Sequence, residues 1–168
     1  MTVYGGDIIY AADLNALPQG TIARYARTTS STGVTTTETG YIRIDNVAVR
    51  AGYSYRVTWH NPISNWATSA STPSLRIRGT QSGTAGTGST QLRGGFGRSV
   101  GASDANNGPV APVIGIWECT SSGTLSVLAT FVRASGTGTV GMFASGAAES
   151  LMTVEEVGLT QADSGTSV

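Results

Sequence analysis

Hydrophobic and polar residues alternate along most of this chain with a period of two, which is typical of β-strands that are buried on one side. The clearest case is Tyr53–His60, where one side carries Tyr53, Tyr55, Val57 and Trp59. Polar residues lie between them and face the other way. We therefore predict a half-buried strand here.

Further strands follow from the same pattern. Residues 41–49 place Ile42, Ile44 and Ala48 on one face, and residues 75–80 alternate in the same way. Stronger segments close the domain, at 113–119, at 124–134, and as a predicted pair at 137–143 and 150–157. Short Ser/Gly turns between them predict hairpin-type connections.

The number and spacing of these segments predict the fold class. With weaker segments at 21–27 and near Leu92, the chain has about eight strands, and no helical pattern separates them. This predicts an all-β domain, an antiparallel β-sandwich resembling a jelly roll. A parallel α/β sheet is excluded because it needs helices between its strands.

The first nineteen residues depart from this pattern. Ile8, Ile9 and Tyr10 favour extended structure, and one or two helical turns follow, containing Leu14 and Leu17. A helix this short is not stable alone, so these five apolar residues are expected to dock on a partner. We predict an anchoring arm at 1–19, a β-sandwich domain at 20–159 and a polar tail at 160–168.

Composition narrows the function classes. Charged residues make up 12% of the chain, and ten acids balance ten bases, all of them arginine, so the net charge is zero. This balance argues against nucleic-acid binding, which needs a basic patch. A single cysteine excludes an intrachain disulfide. The opening lacks a signal-peptide pattern and no run suits a membrane span, so we expect synthesis in a cytoplasm.

Several motifs partly match known catalytic, cofactor-binding or metal-binding patterns. Ser99, between Gly97 and Gly101, matches a hydrolase elbow, but the helix that this motif requires is not predicted after it. Residues 136–141 match a dinucleotide fingerprint but suit a hairpin better. Residues 104–108 faintly resemble a calcium loop that lacks its terminal Glu. We predict no catalytic residue and no cofactor.

His60 and Cys119 are the remaining candidates for metal or nucleophilic chemistry. His60 has no second His or Cys at ligand spacing, and Cys119 lies in a strand pattern. We predict no metal site. Arg76 and Arg78 share one strand face and are expected to be solvated, or to pair with Glu155, Glu156 or a neighbouring chain.

The aromatic residues leave a carbohydrate-binding platform open as an alternative. Its members would be Tyr53, Tyr55, Trp59, Trp66 and Trp117. Alternation on a strand is more typical of a core than of a ligand site.

Two segments carry a resemblance to a known class of proteins. The opening Gly6-Asp-Ile-Ile-Tyr-Ala-Ala-Asp-Leu-Asn-Ala-Leu17 resembles the N-terminal element of tailed-bacteriophage virion proteins, especially those of phages of actinobacteria. The segment from Ser150 to Gly158 resembles the closing strand of such domains, with Glu156-Val157 where Asp-Ile is usual.

The resemblance implies a non-enzymatic virion protein made in the host bacterial cytoplasm. The leading expectation is a minor capsid or decoration protein that binds the major capsid protein or a neighbouring copy and stabilises the outer shell, as a homotrimer by analogy. Alternatives are a minor tail or fibre-associated protein, a receptor- or glycan-binding module using loops at 61–74 or 79–112, and an esterase acting through Ser99.

Overall fold

The computed structural model of the chain describes residues 20–31, 33, 36–60, 63–67, 71–92, 107–109 and 111–160. These residues form eleven strands and no helix. The strands are β1 (Gly20–Arg27), β2 (Thr39–Val49), β3 (Tyr53–His60), β4 (Ile63–Ala67), β5 (Ser71–Gln81), β6 (Thr90–Gln91), β7 (Asn107–Pro109), β8 (Val113–Glu118), β9 (Gly123–Gly136), β10 (Thr139–Phe143) and β11 (Ser150–Leu159).

Eight of these strands form two antiparallel sheets that pack as a sandwich. The β1 sheet has the order β1-β11-β3-β8, and the β2 sheet has the order β2-β9-β5-β6. Numbered along the chain, the eight strands run 1-8-3-6 in one sheet and 2-7-4-5 in the other, which is the two-Greek-key order of a jelly roll. The predicted fold class is confirmed.

The core lies between the two sheets. Tyr55, Val57 and Trp59 of β3 are fully buried, as the alternation predicts, and they pack with Leu75 and Ile77 of β5. The indole N–H of Trp59 donates to the Ser150 hydroxyl at 2.7 Å, so burial of this ring leaves its donor satisfied.

Strand β2 departs from the predicted face pattern. Ile42 and Ile44 are buried as predicted, but Ala48 is exposed, and Val47 and Val49 are buried instead. The pairing of β2 with β9 shifts between Ile44 and Val47, and a bulge of this kind moves every later side chain to the opposite face.

The pairing predicted for the closing strands is wrong. Strand β10 pairs with β4 in a third sheet, of order β10-β4-β7, whereas β11 lies between β1 and β3. The turn before Gly123 joins β8 to β9 in opposite sheets and is not a hairpin. In this jelly roll most strands that are neighbours in sequence lie in opposite sheets, so short turns alone do not imply pairing.

Candidate functional site

The apolar residues predicted to anchor the arm lie outside the described residues; they are Ile8, Ile9, Tyr10, Leu14 and Leu17. The structure does describe the point where the arm joins the sandwich. Strand β1 begins at Gly20, which lies opposite Glu156 on β11, and β1 is an edge strand of its sheet.

Gly20 has a backbone conformation that suits glycine. Its φ is +69°, in the left-handed region that is costly for other residues. A Cβ built at this position would meet no atom within 4 Å, so the requirement comes from the backbone and not from lack of space. The backbone at the first residue of β1 therefore has a conformation that Gly20 makes possible.

Glu156, opposite Gly20, is a buried carboxylate. It continues the inward-facing series of Met152 and Val154, and its side chain is 2% exposed. The Arg50 guanidinium donates to it through Nε at 3.0 Å and through a second close contact from NH2, and the Tyr55 hydroxyl donates at 3.0 Å. These contacts compensate a charge that would otherwise be costly to bury.

The same contacts set the ionisation of the two partners. The hydrogen bond to Glu156 raises the pKa of Arg50 further above its usual value. Burial raises the pKa of Tyr55, which therefore stays a neutral hydroxyl. That hydroxyl also accepts the backbone N–H of Arg50 at 2.7 Å, so it joins the turn to the buried carboxylate.

The turn that carries Arg50 is braced on two sides. The Arg50 guanidinium lies 3.9 Å from the centre of the Tyr53 ring. The Gly52 N–H donates to the Cys119 carbonyl at 2.7 Å, and the Gly52 carbonyl accepts the Thr160 N–H at 2.7 Å. We call Arg50, Tyr53, Tyr55 and Glu156 the arm-end cluster, because Glu156 lies opposite Gly20, the first described residue after the predicted arm.

Two exposed apolar side chains lie next to this junction. Val157 and Leu159 are 43% and 66% exposed, and Val157 lies at a bulge in the pairing of β11 with β3. The described pairing of β1 with β11 stops at Glu156, so both residues lie just beyond the first residue of β1. They leave apolar surface at this end of the sandwich.

A second glutamate cluster lies on the outer face of the β2 sheet. The Arg78 guanidinium donates to both Glu38 oxygens, through Nε at 2.9 Å and NH2 at 2.8 Å. Arg76 NH1 donates to Glu38 at 2.5 Å, and the Thr130 hydroxyl donates at 2.6 Å. We call these four residues the outer cluster.

The outer cluster corrects the predicted partners of two arginines. Arg76 and Arg78 do share a strand face, but both pair with Glu38 and not with Glu155 or Glu156. Glu155 pairs with Arg56, across β11 and β3.

Opposing effects determine the pKa of Glu38. Burial raises it, but the hydrogen bonds from Arg78 and Thr130 and the charges of Arg78 and Arg76 outweigh burial. The net result is a pKa below the ordinary value of 4.5, so the carboxylate is charged at neutral pH.

The described candidates for catalysis or metal binding do not come together in one site. His60 is half-buried with a ring nitrogen 2.9 Å from the Thr153 hydroxyl, and Cys119 is buried with a pKa raised by that burial. Within the described ranges, no group of three His, Cys, Asp or Glu side chains is placed to hold a metal. Ser99 and Asp104 lie outside those ranges.

The residues that match the dinucleotide-binding fingerprint lie in two strands and the connection between them. The segment 136–141 spans the end of β9, a two-residue connection and the start of β10. The Gly138 N–H donates to the Ser71 hydroxyl at 2.9 Å. A phosphate site of this type needs a helix after the glycines, and β10 stands in its place.

The aromatic platform kept open as an alternative is not assembled by the side chains that the structure describes. Tyr55 and Trp59 are fully buried in the core, whereas Tyr53 stacks against Arg50. Trp117 packs beside Gly79, where an added Cβ would lie 3.2 Å from its ring. The side chain of Trp66 is not among the described ones.

Comparison with known proteins gives structural neighbours only. Neither a protein-family model nor a curated protein matches this sequence. The chain is similar to the solved structure of infectious bursal disease virus strain Gx, with a TM-score of 0.40 and 10% identity, covering 84% of this chain and 31% of the other. It is similar to strain Gt with a TM-score of 0.38 and 12% identity, covering 85% of this chain and 38% of the other. It is also similar to the VP2 subviral particle of this virus with a TM-score of 0.37 and 10% identity, covering 86% of this chain and 36% of the other. The chain thus spans about a third of the length of these virus-particle chains.

Sequence reasoning missed both glutamate clusters. Glu156 had a detectable signal, because it is in phase with Met152 and Val154 on a buried strand face. Glu38 had none, since it lies in a Thr-rich segment without periodicity. In the described part of the chain, no helix is long and apolar enough to cross a membrane.

Proposed function

We propose that this chain is a non-enzymatic structural protein of a tailed-phage virion, and that it acts as a minor capsid or decoration protein. In this proposal the jelly-roll domain caps the outer shell and residues 1–19 anchor it to the major capsid protein. The sandwich would contribute mass and rigidity at the surface, and the arm would contribute attachment and thereby stabilise the shell.

One observation carries the proposal. Gly20, three residues after the first of the two segments that resemble phage virion proteins, pairs with Glu156, which lies within the second. The arm-end cluster joins the turn at residue 50 to β3 and β11 at this end, and Val157 and Leu159 leave apolar surface beside it. An arm that leaves a braced edge strand next to exposed apolar side chains suits docking against another protein.

The assembly state and the attachment site are parts of the same proposal. We propose a homotrimer, by analogy with decoration proteins, which sedimentation or light scattering would test directly. A minor tail or fibre-associated role is the second member of this class. Immunogold labelling of virions with an antibody to the sandwich separates the two, since the label lies on the shell in one case and on the tail in the other.

Deletion of residues 2–19 tests the anchoring role. Virions are produced with the shortened chain as the only copy, purified by density gradient and analysed by quantitative immunoblot. We expect the shortened chain to keep the β-sheet circular dichroism of the full chain and to be absent from virions. Incorporation at the full-length level would contradict the proposal.

Point variants give a sharper form of this test. Leu14→Ser combined with Leu17→Ser removes two apolar side chains of the arm, and Asn15→Ser is the matched control between them. We expect the double variant to lose incorporation and the control to retain it. Equal incorporation of the two would show that apolar docking by the arm is not the mechanism.

A further inference from the structure

A groove lies on the open side of the sandwich, between the two sheets. Strands β1 and β2 are edge strands of different sheets and lie side by side there. The groove has a volume of about 480 Å³, which falls in the range of small-ligand sites. Its lining includes Tyr25, Arg27, Thr29, Tyr41, Arg43 and Asp45.

Arg27 is held in position in the groove by the backbone. Its Nε donates to the Thr29 carbonyl at 2.9 Å, and NH1 donates to the Tyr41 carbonyl at close range. The guanidinium also lies 4.4 Å from the centre of the Tyr41 ring. An arginine fixed in this way loses little side-chain entropy when it binds a ligand.

The charge of Arg27 has no carboxylate partner among the described residues. Its two hydrogen bonds are to carbonyls, and a guanidinium has five N–H donors, so three donors remain for a ligand. Arg43, in the same groove, pairs with Asp45 at 2.9 Å. Two arginines and one aspartate give the groove a formal charge of +1, which favours an anion.

Tyr25 adds an aromatic surface to this charge. It is 51% exposed at the edge of β1, two residues from Arg27. Thr28 and Thr29 follow and are also exposed. A half-exposed tyrosine ring beside hydroxyls and a fixed arginine matches the chemistry of a sugar ring, which has apolar C–H faces and polar edges.

Pairing of an added peptide strand suits this groove less well. Strand β1 ends at Arg27, and two backbone acceptors in the groove, the Thr29 and Tyr41 carbonyls, are already used. The Thr29 carbonyl accepts from Arg27 and from the Tyr41 hydroxyl at 3.2 Å, and the Tyr41 carbonyl accepts from Arg27. Side chains and not open backbone therefore dominate what a ligand would meet.

We propose that this groove binds a saccharide unit that carries a carboxylate, such as a uronic acid. The Arg27 guanidinium pairs with the carboxylate, the Tyr25 ring stacks on the sugar face, and Thr28 and Thr29 bond to hydroxyls. The site differs from the aromatic platform and from the loops considered on sequence grounds. It does not depend on how the protein attaches to a virion.

Titration of the full chain with sodium glucuronate, followed by calorimetry or NMR, tests the proposal, with glucose as the neutral counterpart. We expect saturable millimolar binding of glucuronate and at least about a tenfold weaker response to glucose, because the charged pair is lost. Tyr25→Ala should weaken glucuronate binding by about fivefold through loss of stacking. Arg27→Lys should weaken it too, because an ammonium cannot form the same fork.

Arg24→Gln is the matched control. Arg24 is an exposed arginine of the same strand that lies opposite Thr153, away from the groove lining, and its loss should leave the dissociation constant unchanged. Equal binding of glucose and glucuronate, no binding by the unmodified chain, or an equal loss in Arg24→Gln would each overturn the proposal. Binding of acetate or poly-glutamate as tightly as glucuronate would also overturn it, because recognition would then be of a carboxylate alone.

Discussion

Glu156 and Glu38 are both held by arginine and by a hydroxyl, but they lie in different surroundings. Glu156 points into the sandwich with 2% of its side chain exposed, bound by Arg50 and Tyr55. Glu38 lies on the outer face of the β2 sheet with 15% exposed, bound by Arg76 and Arg78. The contact types are similar, so the burial of the carboxylate is the main difference between the two clusters.

Burial changes what the loss of a partner costs. A polar group that loses its hydrogen-bond partner inside the domain is poorly solvated, whereas one on an outer face is reached by water and by salt. The arm-end cluster is therefore expected to control the stability of the end from which the arm leaves. The outer cluster is expected to tune the stability of the β2 sheet only modestly.

The largest difference is expected from matched Glu→Gln substitutions. Glu156→Gln keeps the side-chain shape but replaces a buried acceptor oxygen by an N–H2 donor that faces the donors of Arg50 and Tyr55, which should lower the free energy of unfolding by about 3 kcal/mol. Glu38→Gln should cost only about 1 kcal/mol because its carboxylate is 15% exposed and water can solvate the amide that replaces it. Urea titration followed by tryptophan fluorescence measures both.

The same titration contains its own control. The unfolding free energy should fall with urea concentration at the same slope in the wild type, Glu156→Gln and Glu38→Gln. Equal slopes show that the substitutions act on the native state. Equal destabilisation by the two substitutions would mean that burial does not distinguish the clusters.

The contrast between the clusters also marks what sequence can predict. Alternation was sufficient for Tyr55, Val57 and Trp59, because their strand is regular along its length. It failed at Val47 and Ala48, where a bulge in β2 moves the side chains to the opposite face. A bulge arises from pairing with β9, far away in sequence, and leaves no local signal.

The candidate site shows the same limit. The positive φ of Gly20 agrees with a turn between arm and strand, but the pairing of residue 20 with residue 156 depends on the closure of the whole jelly roll. Glu156 could have been identified as buried from its phase with Val154. Its partner Arg50 could not, because the turn at 50–52 is placed by contacts with β8 and the end of β11.

Cys119 offers a local measure of the arm-end cluster. The thiol is buried, and its backbone bonds to Tyr53 at 2.9 Å and to Gly52 at 2.7 Å. Tyr55→Phe removes the hydroxyl that joins Arg50 to Glu156, and should accelerate labelling of Cys119 by a thiol reagent roughly tenfold, since one buried hydrogen bond is worth about 1.4 kcal/mol. Glu38→Gln is the control.

The two possible opening routes give different outcomes for that labelling. If the arm end opens locally, the rate in Glu38→Gln stays at the wild-type value. If Cys119 reacts only after global unfolding, both substitutions accelerate labelling in proportion to their loss of stability. The second result would contradict a separately stabilised arm end.

The smallest expected effect is the acid sensitivity of the outer cluster. The folded-state pKa of Glu38 is lowered below its ordinary value of 4.5, because hydrogen bonds and charges from its partners outweigh burial. A lowered carboxyl pKa adds stability above the unfolded value, and this contribution disappears as the pH falls through the folded value. Between pH 6 and pH 3, the wild type should therefore lose up to about 1 kcal/mol more unfolding free energy than Glu38→Gln does.

Urea titrations of both chains at several pH values measure this difference, with Arg24→Gln as a variant that should follow the wild type. Parallel pH profiles for the wild type and Glu38→Gln would mean that Arg76 and Arg78 are held as firmly by a neutral amide as by the carboxylate.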